Sequence, residues 1–190
     1  MKEPLPVAVE LVRVLRESGQ TVAFAESLTA GLAAASVADV PGASAVLRGG
    51  VVSYATDVKR DLLGVDADVL DSVGPVSKQC AEQMAASVRA LLGADWGVSL
   101  TGVAGPDTQD GHAVGEVWIG LADPHGYAVA LRAYPKRHHR WILVPGEETP
   151  VAVVDGDRNT IRAASVEAAL DELLTLVNLM NEDETGGHDA

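Results

Sequence analysis

Thr21–Gly31 reads TVAFAESLTAG, a short apolar run that ends on Glu26 and Ser27 and gives way at once to small residues. Thr21–Ala25 predicts a buried strand, and the Ala-rich stretch Leu28–Val37 predicts a helix. Ser27 then sits where a strand hands over to a helix. A hydroxyl held there stands above a sheet edge, with the N–H groups of a helix N-terminus close by to stabilise negative charge. The position suits a nucleophile or an anion-binding group. It also suits a plain helix cap, a role for which Ser is favoured, and from this segment by itself the cap is the better reading.

Outward from this stretch, the pattern alternates between helices and strands. Pro4–Ser18 carries Val7, Leu11, Val14 and Leu15 at helical spacing and stops at Ser18-Gly19. Ala45–Tyr54 reads as a strand whose Gly49-Gly50 pair marks a bulge or a close backbone approach. Short helices are expected over Asp57–Leu63 and Asp66–Ser72, then a long one over Ser77–Leu92 with Ser77 as cap and Gly93 closing it. Trp96–Leu100 is a third apolar strand. Val114–Ala122 and Tyr127–Ala133 form a hairpin around Asp123-Pro124-His125-Gly126. Pro135–Pro150 breaks the pattern with three prolines and the basic cluster Lys136–Arg140, read as a solvated loop. Pro150–Val154 is a short strand and Asn159–Asn178 a long helix. The result is α/β, a mixed sheet with helices on both faces.

The chain has 190 residues, 47 % apolar but only 4 % aromatic, so its core is built from Ala, Val and Leu. That length suits one domain. The polar tail Asn181–Ala190 is expected to be disordered. Cys80, the single cysteine, excludes an internal disulfide. A net charge of −13 argues against nonspecific nucleic-acid binding. No secretory pattern or membrane-length apolar run appears, and a cytoplasmic location is the expectation. The five histidines have no metal-ligand spacing, and no dinucleotide, P-loop or GxSxG signature is present.

Three expected strands end on polar residues: Glu26-Ser27, Ser53-Tyr54 and Thr101-Gly102. If these strands are parallel, Ser27, Tyr54 and Thr101 share the rim where open α/β sheets collect ligands. Lys59, five residues after Tyr54, can return to that rim. A Ser–Lys pair works as nucleophile and base when the lysine is desolvated. From spacing alone, a solvated lysine and a partly buried tyrosine with its hydroxyl bonded are the better reading. The turn Thr101–Asp107 (TGVAGPD) offers a backbone nest for an anion or is an ordinary tight turn. Arg158 and Arg162, opening the last helix, are suited to phosphate, or Asp157 caps that helix and both arginines are solvated.

Taken in order, AES at Ala25–Ser27 with Thr29 and Gly31, GGVVSY at Gly49–Tyr54 with Lys59 and Gly64-Val65, GPVS at Gly74–Ser77, TGVAGPD, VGEVWIGLA at Val114–Ala122 and GDR at Gly156–Arg158 with Arg162 cover residues 5–180. The set resembles the C-terminal domain family of the competence/damage-inducible protein CinA, whose free-standing members are nicotinamide-nucleotide amidohydrolases. The resemblance implies a three-layer α/β/α domain over residues 1–180 with a mixed, mostly parallel sheet, a mononucleotide substrate, and no cofactor or metal. A homo-oligomer is expected because cytoplasmic enzymes of this size often form symmetric assemblies. By position, Ser27 is the implied nucleophile, Lys59 the general base and Tyr54 a helper in proton transfer. Thr29, Gly31, Thr101, Gly102 and Gly105 are implied substrate contacts, with Arg158 or Arg162 on the phosphate. Where the family usually reads AESCTGG this chain has Leu28 and Ala30, and Thr56 replaces an Asn. A non-catalytic binding module of the same fold, or an amidase for another substrate, remains the alternative reading.

Overall fold

A computed structural model describes residues 3–144 and 147–186, with side chains through Glu182. Five strands form the main sheet in the order β2-β1-β3-β4-β5: β1 (Val22–Glu26), β2 (Leu47–Val52), β3 (Trp96–Gly102), β4 (Val117–Ala122) and β5 (Ala128–Arg132). The pairs β1–β2 and β1–β3 are parallel; β3–β4 and β4–β5 are antiparallel. The mixed sheet is as expected. Helix α1 (Pro6–Ser18), α2 (Leu32–Ala38) and α6 (Arg158–Gly186) cover one face. The other face carries α5 (Lys78–Leu92), preceded by the short α3 (Thr56–Asp61) and α4 (Ala67–Ser72).

The period of two along each strand assigns side chains to these layers. Val22 and Phe24 join Trp96, Val98, Leu100, Ile119 and Leu121 in the larger core beneath α1 and α6. Ala23 and Ala25 point to α5, where Cys80, Met84 and Val88 meet them. On that side the strands are kept small so that α5 can lie close. A Cβ at Gly97 would overlap the Ala85 carbonyl, and one at Gly120 the Ala81 carbonyl. Ser99 Oγ donates to Ala81 O at 2.6 Å. Close approach of helix backbone to sheet is thus what the small-residue composition makes possible.

Local signals act as read. Gly19 closes α1 in the left-handed region (φ 68°), and Ser77 Oγ caps α5 by accepting from Cys80 N at 3.2 Å. The β1–β2 register shifts between Val22 and Ala23, which places the bulge at Arg48-Gly49.

Three expectations change. The helix expected from Leu28 begins at Leu32, because Ala30 (φ 51°) and Gly31 (φ 94°) are left-handed and end any helical path through Ser27–Gly31. The Pro135–Pro150 segment is not all loop: His139–Ile142 (β6) pairs antiparallel with Val151–Val154 (β7), a strand hidden by the prolines and charges around it. Arg140, read as part of a solvated loop, lies in β6 with Nε 3.1 Å from Asp155. The last helix runs past Asn178 to Gly186, since Leu179–Thr185 contains neither Gly nor Pro to stop it. The expected disorder over 181–190 therefore gives way to helix through Gly186; the remaining four residues lie outside the described residues. No helix among the described residues is long and apolar enough to cross a membrane.

Candidate active site

Ser27 continues the Ala23, Ala25 series and projects to the α5 side, just past the end of β1. Thr101 continues Gly97 and Ser99 onto the same side, and the loop after β2 brings Tyr54 and then α3 over them. Ser27, Tyr54, Lys59, Thr101, Gly102, Gly105 and Arg158 line one cavity of about 120 Å³ at this rim. The parallel strands place their carboxyl ends as the sequence anticipated.

Lys59 is the least ordinary residue in it. The side chain is 2 % exposed, and its Nζ lies 3.0 Å from Ser27 Oγ, 2.8 Å from Ser53 O and 3.3 Å from Tyr54 O. Burial holds its pKa below the ordinary lysine value, opposed only by the nearby Cys80 thiol. Carbonyl oxygens can only accept. In the neutral amine the two N–H groups therefore face Ser53 and Tyr54, and the lone pair is left for the Ser27 hydroxyl proton. Ser27 is 8 % exposed and lies within reach of the cavity.

The surroundings divide the other expected residues. Thr101 Oγ1 donates to Pro75 O at 2.6 Å, tying β3 to the loop before α5. A Cβ at Gly102 would overlap the Glu116 carbonyl, so this glycine answers to β4 packing. Gly105 (φ 79°) also lines the cavity, and its carbonyl accepts from Arg158 Nη1 at 2.6 Å. Arg158 Nη2 donates to the Tyr54 hydroxyl at 2.7 Å, joining residues 104 positions apart across the cavity rim. Tyr54 thus presents its backbone carbonyl to Lys59 and its hydroxyl to Arg158. Asp157 caps α6 by accepting from Thr160 N at 2.8 Å, which leaves Arg158 clear of that role.

Thr29 and Gly31 do not line the cavity. Thr29 is fully buried with no partner for Oγ1, and the Gly31 N–H is held by Glu26. Arg162 is likewise turned elsewhere, its Nε and Nη2 donating to Leu28 O and Thr29 O at 3.0 and 2.9 Å. Of the two arginines, the cavity takes Arg158.

Glu26, a polar strand end with no role assigned from the sequence, has one in the structure. It is 1 % exposed, and its carboxylate accepts from Gly31 N, Ala33 N and Ala34 N at 3.0, 3.0 and 2.9 Å. The start of α2 is thereby neutralised by Glu26, not offered to Ser27. The signal was its place in the odd–even pattern: residues 22, 24 and 26 face α2 and α6 while 27 faces α5. Next to Ser27 in the chain, the N–H groups of Leu28 and Thr29 donate to no acceptor among the described residues, and of these two residues Leu28 lines the cavity. No three His, Cys, Asp or Glu side chains converge among the described residues.

A sequence profile of the CinA C-terminal domain matches residues 5–177. The chain belongs to the CinA C-terminal domain family. A CinA-like protein of Frankia casuarinae is 45 % identical over 158 residues, 83 % of this chain and 32 % of that protein. A putative competence-damage inducible protein of Bacillus velezensis is 51 % identical over 113 residues, 60 % of this chain and 27 % of that one. The chain thus spans under a third of the length of these curated relatives. Among solved structures, the competence/damage inducible protein CihA of Agrobacterium tumefaciens has 32 % identity and a TM-score of 0.75, covering 94 % of this chain and 99 % of that chain. A competence damage-inducible protein A of Klebsiella pneumoniae gives 29 % and 0.76, covering 89 % and 93 %. The CinA likeness therefore extends over nearly the whole fold described above.

Proposed function

We propose that this domain is a serine amidohydrolase that releases ammonia from the carboxamide of nicotinamide mononucleotide, leaving nicotinate mononucleotide. The observation that carries the reading is the desolvated Lys59 amine 3.0 Å from Ser27 Oγ inside a cavity at the carboxyl ends of parallel strands. Membership of the CinA family is consistent with amidohydrolase chemistry.

In this mechanism, neutral Lys59 takes the Ser27 proton as Oγ attacks the carboxamide carbon. The carbonyl π pair moves to oxygen, where the N–H of Leu28, a cavity-lining residue, stabilises the oxyanion. The Lys59 ammonium then protonates the departing nitrogen, the C–N bond breaks, and ammonia leaves an acyl ester on Ser27. Lys59, neutral again, deprotonates a water that attacks the ester; collapse returns the proton to Ser27 and frees the carboxylate. Each step needs only one proton shuttle, and Lys59 is placed to be it.

Arg158 and Lys59 are the cations among the cavity-lining residues; Lys59 is buried and Arg158 is exposed to solvent. That position suits the substrate phosphate, with the Tyr54 hydroxyl holding the guanidinium in place. The same reading includes a cytoplasmic location and a symmetric homo-oligomer, the latter measurable by sedimentation.

The test is incubation of purified protein with nicotinamide mononucleotide, following ammonia and nicotinate mononucleotide together. Equal amounts of both support the assignment. Saturable binding without either product would reduce the domain to a nucleotide-binding module, and turnover of other carboxamides in preference would change the substrate.

A further inference from the structure

The turn that carries Ser27 is held from two sides by charged side chains that do not line the cavity. Glu26 gathers the N–H groups of Gly31, Ala33 and Ala34 at the exit of the turn. Arg162, reaching over from α6, takes the carbonyls of Leu28 and Thr29 with two separate nitrogens. Between them lie the left-handed residues Ala30 and Gly31, a conformation that costs about 1–2 kcal/mol at a residue with a Cβ and so needs such anchoring. In a trans peptide the C=O and the following N–H point opposite ways. Holding the Leu28 and Thr29 carbonyls toward α6 therefore fixes the planes of the two peptides that follow Ser27-Leu28, and with them the path of the backbone that carries the Ser27 side chain and the Leu28 N–H.

We propose that Arg162 and Glu26 are positioning residues for the nucleophile. Arg162 holds the backbone that follows Ser27 through the Leu28 and Thr29 carbonyls, and Glu26 locks the turn into α2. This rests on the amidohydrolase reading and assigns Arg162 a task other than phosphate binding, since Arg162 does not line the cavity and its guanidinium is turned to the carbonyls of the turn.

The test compares Arg162→Met with wild type on nicotinamide mononucleotide and on nicotinamide riboside, which keeps the carboxamide and lacks the phosphate. A positioning role predicts kcat down by about 10- to 100-fold with KM nearly constant, and the same fold-loss in kcat/KM on both substrates. A loss confined to KM, or one that disappears with the riboside, would make Arg162 a phosphate ligand and overturn the proposal, as would an unchanged kcat. Arg162→Lys keeps the charge without the fork and should recover only part of the loss; full recovery would count against it. Glu26→Gln, which keeps an acceptor oxygen, should lower kcat less than Arg162→Met while leaving KM in place; a rise in KM alone would remove Glu26 from the scheme. Failure of the amidohydrolase reading itself would appear as wild-type protein without turnover. In that event, labelling of Ser27 by a fluorophosphonate, read by mass spectrometry, makes the same comparison. Slower labelling in Arg162→Met, with the melting midpoint and amide exchange outside residues 27–32 unchanged, supports the role, and equal labelling overturns it.

Discussion

Replacing Lys59 by Met should change how stability depends on pH, with a sign fixed by the burial of one amine. Burial holds the Lys59 pKa in the native protein below 10.5, its ordinary value. Below the native value both native and unfolded chains keep the proton, and the wild type and the variant should differ by a constant. Between the native value and 10.5 the unfolded chain holds a proton that the native protein has released. Unfolding then takes up a proton, so stability rises with pH at about 1.4 kcal/mol per pH unit for the wild type relative to Lys59→Met. Above that range the difference is constant again. Cys80 contributes with the opposite sign, because burial pushes its thiol up to about 11, so between 9.0 and that value the native protein keeps a proton that the unfolded chain loses. The thiol is present in both proteins and largely cancels in the difference. Urea unfolding from pH 6 to pH 11, followed by the fluorescence of buried Trp96, measures it. A difference that stays flat up to 10.5, or that turns against the wild type, would refute the desolvated lysine.

Gly120→Ala should cost at least about 2 kcal/mol in urea unfolding, because its Cβ would overlap the Ala81 carbonyl and Ser99 Oγ and neither is the end of a flexible chain. Unchanged stability would show that α5 is not seated as described. Ala30→Gly should stabilise by about 0.5–1 kcal/mol, the left-handed strain relieved less the backbone entropy of glycine; a loss would contradict the left-handed turn. Arg158→Met should raise KM for the mononucleotide by about tenfold or more, with a smaller change in kcat, and should leave riboside kinetics nearly unchanged. An equal effect on both substrates would remove Arg158 from the phosphate.

Much of this fold is written in short-range patterns. The buried run before Glu26, the amphipathic spacing of Lys78–Leu92 and the glycines closing α1 and α5 act through local geometry, and each forms as read. The rim shared by Ser27, Tyr54, Thr101 and Lys59 needed one non-local assumption, that β1, β2 and β3 run parallel, and they do. What escaped depended on contacts across the chain. The Ala-rich run after Ser27 has helical propensity from Leu28 on, but Arg162, 134 residues from Leu28, fixes its first carbonyls in a turn. The role of Glu26 is set by which sheet face it occupies, and β6 exists only because β7 lies beside it.

The central claim is that Ser27 attacks and Lys59 carries the proton. Ammonia release from nicotinamide mononucleotide by the wild type, Ser27→Ala and Lys59→Met, measured side by side at one pH on proteins with matched unfolding curves, tests it most directly. The account predicts turnover by the wild type and a loss of about 10²-fold or more in both variants, the scale of removing a general base or a nucleophile. Undiminished ammonia release from either variant would contradict it.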